Sequence, residues 1–105
     1  MKRCEVWWAD LPKPAGKRPV LLLSRNEAYF VRELVTIAPL TTRVRDIPVE
    51  VLLDKSDGVP KKCVANLDMI TTIEKRFLIK KICLLSERKI KEINRAIGFA
   101  LGIED

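Results

Sequence analysis

The chain has 105 residues, 48% of them hydrophobic, with 20 Lys and Arg against 14 Asp and Glu and no histidine, for a net charge of +6 and a pI near 9.5. That length holds one small domain (1–105) with one core, leaves enough surface unburied for a second copy to add stability, and carries a charge suited to a polyanion, either nucleic acid or an acidic protein. The missing histidine excludes Ser–His, Cys–His and His–His chemistry; no apolar run approaches the ~18 residues of a membrane span; and Glu5 interrupts any signal-peptide core, so the expectation is a cytoplasmic protein with no membrane contact.

Residues 5–11 read as a first strand with adjacent tryptophans at 7 and 8, which a strand sends to opposite faces. One indole is then available to the core and the other to the surface or an interface, unless local packing buries both. A loop follows over residues 12–17, with Pro12, Pro14 and Gly16 restricting or freeing its backbone. Pro19-Val20-Leu21-Leu22-Leu23 is a run of apolar residues. It fits a strand buried on both faces or one in a small closed barrel, with Pro19 at its start, where a missing N–H costs least. Residues 25–30 suit a short helical turn, and residues 35–40 a third strand. Residues 49–52 alternate weakly, as a strand with one wet face. The stretch 54–60 is turn chemistry around Asp57-Gly58. Strands are expected at 62–67 and 78–84, with a turn at 72–77. Ser86 is a good N-cap, Ile90, Ile93, Ile97 and Leu101 recur at helical spacing, and Gly102 supplies a stop. A helix over residues 87–101 follows, its apolar stripe covering either the sheet or a partner.

Cys4, Cys63 and Cys83 are odd in number, form no CxxC pair and have no histidine to join them in a zinc site, so they read as reduced core residues. The positive charge is uneven. Between residues 13 and 45 the cations Lys13, Lys17, Arg18, Arg25, Arg32, Arg43 and Arg45 face only Glu27 and Glu33. Arg18 stands at the mouth of the buried run, a planar fork suited to phosphate; a solvated basic loop beside a core strand is the plainer alternative.

Several segments, in order and nearly end to end, resemble the MazF/PemK family of toxin endoribonucleases. They are Glu5-Val6-Trp7-Trp8-Ala9-Asp10-Leu11, Gly16-x-Arg18-Pro19-Val20-Leu21-Leu22, Ala38-Pro39-Leu40-Thr41-Thr42, Leu67-Asp68-x-Ile70-x-Thr72-Ile73 and Ala100-Leu101-Gly102. The resemblance implies a mainly β (α+β) fold, an SH3-like curved barrel with a C-terminal amphipathic helix. It implies a type II toxin that cuts single-stranded RNA, mRNA included, by attack of the RNA's own 2′-hydroxyl, without a metal or other cofactor. Its implied partners are a second copy of the chain and a cognate MazE-like acidic antitoxin.

On that resemblance the catalytic residues are Arg18, Thr41 and Asp68. A guanidinium with a pKa above 12 is a poor base, so Arg18 is expected to stabilise transition-state charge, with proton donation to the leaving oxygen as its other open role. Thr41 would donate a hydrogen bond to a phosphoryl oxygen, and Asp68 would accept a proton or orient a base. A plain strand-end threonine and a turn aspartate are the alternatives. Lys13, Lys17, Arg25, Thr42, Arg43 and Met69 are the expected RNA contacts. The loop at 12–17 lacks the acid and glutamine common in the family, and Met69 and Thr71 replace its usual glutamine and arginine. Base preference therefore does not carry over. A CcdB-like gyrase poison and a non-catalytic RNA-binding barrel stand as alternatives on the same fold.

Overall fold

The computed structural model describes residues 1–103. Its centre is the hairpin of β1 (Glu5–Leu11) and β2 (Gly16–Leu22), paired from Val6↔Leu21 to Leu11↔Gly16. Gly16 enters β2 with φ +67°, in the left-handed region that favours glycine, and this brings the short loop back into register. β2 then pairs with β3 (Leu34–Thr41) through Val20↔Pro39, Leu21↔Ala38 and Leu22↔Ile37. The other edge of β3 is shared: its first half pairs with β6 (Thr71–Glu74) and its last two residues with β5 (Cys63–Asn66). β4 (Glu50–Leu53) lies outside β5, and β7 (Leu78–Leu84) pairs with β1 across two register shifts. The result is a curled antiparallel sheet in the order β4-β5-β3-β2-β1-β7, with β6 also on β3.

Residues 20–23 alternate between two cores, as expected of a strand buried on both faces. Leu21 and Leu23 join Val6, Leu40, Leu53 and Ile93 on one side. Val20 and Leu22 join Tyr29, Val35 and Ile37 on the other. A short helix α1 (Ala28–Val31) follows β2, near the predicted helical turn. β2 begins three residues before the expected Pro19, which precedes the first β2–β3 pair.

The closing helix α2 spans Glu87–Leu101, as its sequence pattern predicts. The Ser86 hydroxyl accepts the Lys89 N–H at 3.3 Å, and Gly102 ends the helix with φ +71°. Ile93 is fully buried and Ile90 and Ile97 pack against the same core; burying Ile93 stabilises the helix by roughly 1.5–3 kcal/mol. Leu101, expected on that stripe, is exposed with Phe99.

One segment differs from expectation. Residues 72–77 were predicted as a turn, but β6 covers Thr71–Glu74 and only Lys75–Phe77 form a 3-10 turn. The β-branched run Thr71-Thr72-Ile73 suits a pleated surface, and β3 offers it a free edge opposite Leu34–Ile37. Both tryptophans are half-buried. Trp7 packs on the second core and donates its indole N–H to Glu5 Oε1 at 2.9 Å; Trp8 opens onto a groove.

Candidate active site

The groove lies where β2 starts and β3 ends. Counting the β2–β3 register two residues past Val20↔Pro39 brings Arg18 level with Thr41. Both side chains line two adjoining cavities, of about 320 Å³ and about 200 Å³. The larger has walls from Trp8, Pro19, Leu40 and Pro60, with Lys17 and Lys61 at its rim. The smaller is bounded by Arg43, Arg45, Asn66 and Met69. No described Asp or Glu lines either one, so cations face this space unopposed and favour an anion.

Arg18 is half-buried, and its Nε is sealed from solvent with no hydrogen-bond partner among the described residues. The terminal NH₂ groups of the guanidinium are neither sealed nor bonded among the described residues, and they are left to donate to a phosphate oxygen. The Thr41 Oγ1 accepts the Arg43 N–H at 3.2 Å, which leaves its own O–H to donate. The loop carrying Arg43 and Arg45 is tied down by Glu50 of β4. One carboxylate oxygen of Glu50 accepts the N–H groups of Arg45 and Asp46, each at 2.9 Å. The Asn66 Oδ1 accepts the Asp68 N–H at 2.9 Å and caps the 3-10 turn Leu67–Met69.

Of the predicted residues, Arg18, Thr41, Lys17, Thr42, Arg43 and Met69 meet at these two cavities. Asp68 lines neither; it is exposed on the 3-10 turn, next in the chain to Met69. Lys13 is exposed in the loop before β2, also outside both. Arg25 lies past the far end of β2, on the order of 20 Å along the strand from Arg18. Sequence reasoning missed Lys61, Pro60 and Asn66, which come from the turn before β5 and from β5 itself. It noted Trp8 and Arg45 without assigning them: the paired tryptophans and the cluster of cations were the available signals.

Cys63 lines the larger cavity. Burial first, then the neighbouring Asp57 and Cys83, push its thiol pKa up, so it stays protonated and is no thiolate nucleophile. Among the described residues no group of three His, Cys, Asp or Glu side chains is placed to hold a metal ion. No helix among the described residues is long and apolar enough to cross a membrane.

Comparison with known proteins agrees with this fold. The Mycobacterium tuberculosis protein named probable endoribonuclease MazF5 is 32% identical over 94% of this chain and 91% of its own length. The structure of Mycobacterium tuberculosis toxin MazF-mt6 superimposes with a TM-score of 0.87 at 31% identity, covering 96% of this chain and 99% of that one. A mycobacterial endoribonuclease solved in complex with its cognate antitoxin gives a TM-score of 0.87 at 30% identity, covering 100% of this chain and 98% of that one. The family described as PemK-like, MazF-like toxin of type II toxin-antitoxin system matches residues 2–101. With residues 2–101 matched by the family and a relative 32% identical over 94% of the chain, the chain belongs to the PemK-like, MazF-like toxin family of type II toxin-antitoxin systems.

Proposed function

We propose that this protein is a toxin that cuts single-stranded RNA at the Arg18–Thr41 groove. The 2′-hydroxyl attacks the adjacent phosphorus and the 5′-oxygen leaves, taking a proton from solvent water, to give a 2′,3′-cyclic phosphate and a 5′-hydroxyl. Charge gathers on the phosphoryl oxygens during that step. Arg18 meets it with a fixed guanidinium, and Thr41 with its free O–H. Asp68, outside the cavities, accepts the 2′-hydroxyl proton through a water. Lys17, Thr42, Arg43 and Arg45 hold the neighbouring backbone, with Lys13 extending the basic surface along the loop. The reaction needs no metal, because a guanidinium and a hydroxyl supply the charge stabilisation. The observation that carries this reading is the Arg18 guanidinium beside Thr41 in a groove that no described carboxylate lines.

A mycobacterial relative solved with its cognate antitoxin supports a cognate antitoxin for this chain, and the net charge of +6 favours an acidic one. The carboxylate-free groove suits its acidic segment as well as RNA, and such segments commonly fold on binding. The working unit is a homodimer in the cytoplasm. Incubation of the purified protein with a long single-stranded RNA tests the reading: the wild type should cut it and Arg18→Ala should not. Intact RNA with the wild type would reject the activity.

A further inference from the structure

We infer that Asn66 reads a base beside the cut and selects a keto base, guanine or uracil, over an amino base, adenine or cytosine. This rests on the ribonuclease reading above and adds a specificity residue to it.

Arg18 and Thr41 separate two cavities of different chemistry. The first is walled by the Trp8 indole with Pro19, Leu40 and Pro60. A base entering there is held by stacking, which every base permits and which carries little sequence information. The second cavity presents Asn66, with Met69 beside it. Asn66 is 7% exposed and is held by its place in β5, paired with Glu50 of β4. Its Oδ1 is committed to the Asp68 N–H, and this bond fixes which end of the amide is which. The Nδ2 has no hydrogen-bond partner among the described residues and is not one of the sealed atoms, so it is left to donate, and Asn66 lines the cavity.

An amide NH₂ only donates, as do the guanidinium groups of Arg43 and Arg45 in the same cavity. The cavity therefore asks for an acceptor. On the exposed edge of a base, guanine presents O6 and uracil O4, where adenine and cytosine present amino groups. At that exocyclic position an amino base would set two donors against each other in a confined space. Arg43 and Arg45 hold backbone phosphate, which adds affinity without reading sequence. Discrimination then falls to Asn66, whose rigid cap leaves it no alternative orientation.

The test is to cut a random single-stranded RNA pool and sequence the ends. The wild type should favour keto bases at one of the two positions flanking the cut, by roughly tenfold. Asn66→Asp keeps the acceptor for the Asp68 N–H and replaces the donor by a second acceptor. Its preference at that position should move to adenine and cytosine, with the rest of the profile unchanged. A second arm needs no variant: the wild type is given oligonucleotides with 2-aminopurine for guanine or 2-pyrimidinone for uracil at that position. The first lacks O6 and the second O4, and each should be cut roughly tenfold more slowly. The assignment is overturned by a wild-type profile without keto preference at either flanking position. It is equally overturned if folded Asn66→Asp keeps the wild-type preference, or if the oxygen-deleted substrates are cut at full rate. A wild type that cuts no RNA would remove the ribonuclease reading and this one with it, an outcome distinct from cutting without base preference.

Discussion

Arg18 and Thr41 stand level on neighbouring antiparallel strands, two residues beyond the Val20↔Pro39 pair, and share both cavities of the groove. The sheet thus sets a cation and a hydroxyl side by side at the point where the ladder opens. β2 is held in two cores just behind Arg18, so the guanidinium is carried on rigid backbone. Fixed donors of this kind need little reorganisation when charge develops.

Arg18→Ala should therefore lower cleavage by a factor on the order of 10²–10³, by analogy with loss of one oxyanion donor. Arg18→Lys keeps the charge but has no fork and no Nε, and should recover only part of the rate. Circular dichroism should show both variants folded. Full activity in folded Arg18→Ala would remove Arg18 from the chemistry.

Glu50 should act on binding more than on chemistry. Its carboxylate receives the Arg45 and Asp46 N–H groups and so sets the loop that carries two groove cations. Glu50→Ala should raise KM roughly fivefold, equivalent to about 1 kcal/mol, with kcat little changed. Glu50→Gln retains an acceptor oxygen and should restore most of the affinity. A fall in kcat with KM unchanged would contradict the positioning role.

Glu5 should set the acid limb of stability. It is buried, and burial alone would raise its pKa. Hydrogen bonds from the Trp7 indole, Lys81 and the Lys2 N–H, with the Lys81 charge, outweigh that and hold it below the ordinary Glu value. A depressed carboxylate pKa gives stability that is present above the unfolded-state value, about 4.3, and is lost as pH falls through the folded-state value. The Tm advantage of wild type over Glu5→Gln should shrink on acidification from pH 6 to roughly pH 3. An advantage constant across that range would show that the charge of Glu5 contributes nothing.

Assembly offers a fourth prediction. Ile79 and Leu84 on β7 and Phe99 and Leu101 on α2 are exposed, more apolar surface than a small domain leaves to water without cause. Light scattering at micromolar concentration should give twice the 12.0 kDa chain mass. An acidic antitoxin segment should displace RNA from the groove, and its affinity should fall with added salt. A monomeric mass, or a ternary complex with RNA still bound, would count against this arrangement.

Local pattern made much of the fold legible. The bounds of β1, β7 and α2 follow from apolar spacing, Ser86 and Gly102 alone. β6 was not legible, because its four residues become a strand only through the free edge of β3. The groove divides in the same way. Arg18 and Thr41 were found because each lies in a recognisable segment, whereas Asn66 and Lys61 reach the groove from β5 and the turn before it. Only sheet order brings those residues near Arg18. Arg25 shows the converse: it belongs to the basic segment in sequence, yet β2 carries it to the opposite end of the sheet.

The most direct measurement is the chemistry of the RNA ends made in excess EDTA. The absence of histidine and a groove that no described carboxylate lines predict full activity there, with 2′,3′-cyclic phosphate and 5′-hydroxyl ends that vanish with Arg18→Ala. A strict magnesium requirement, or 5′-phosphate ends, would contradict the account.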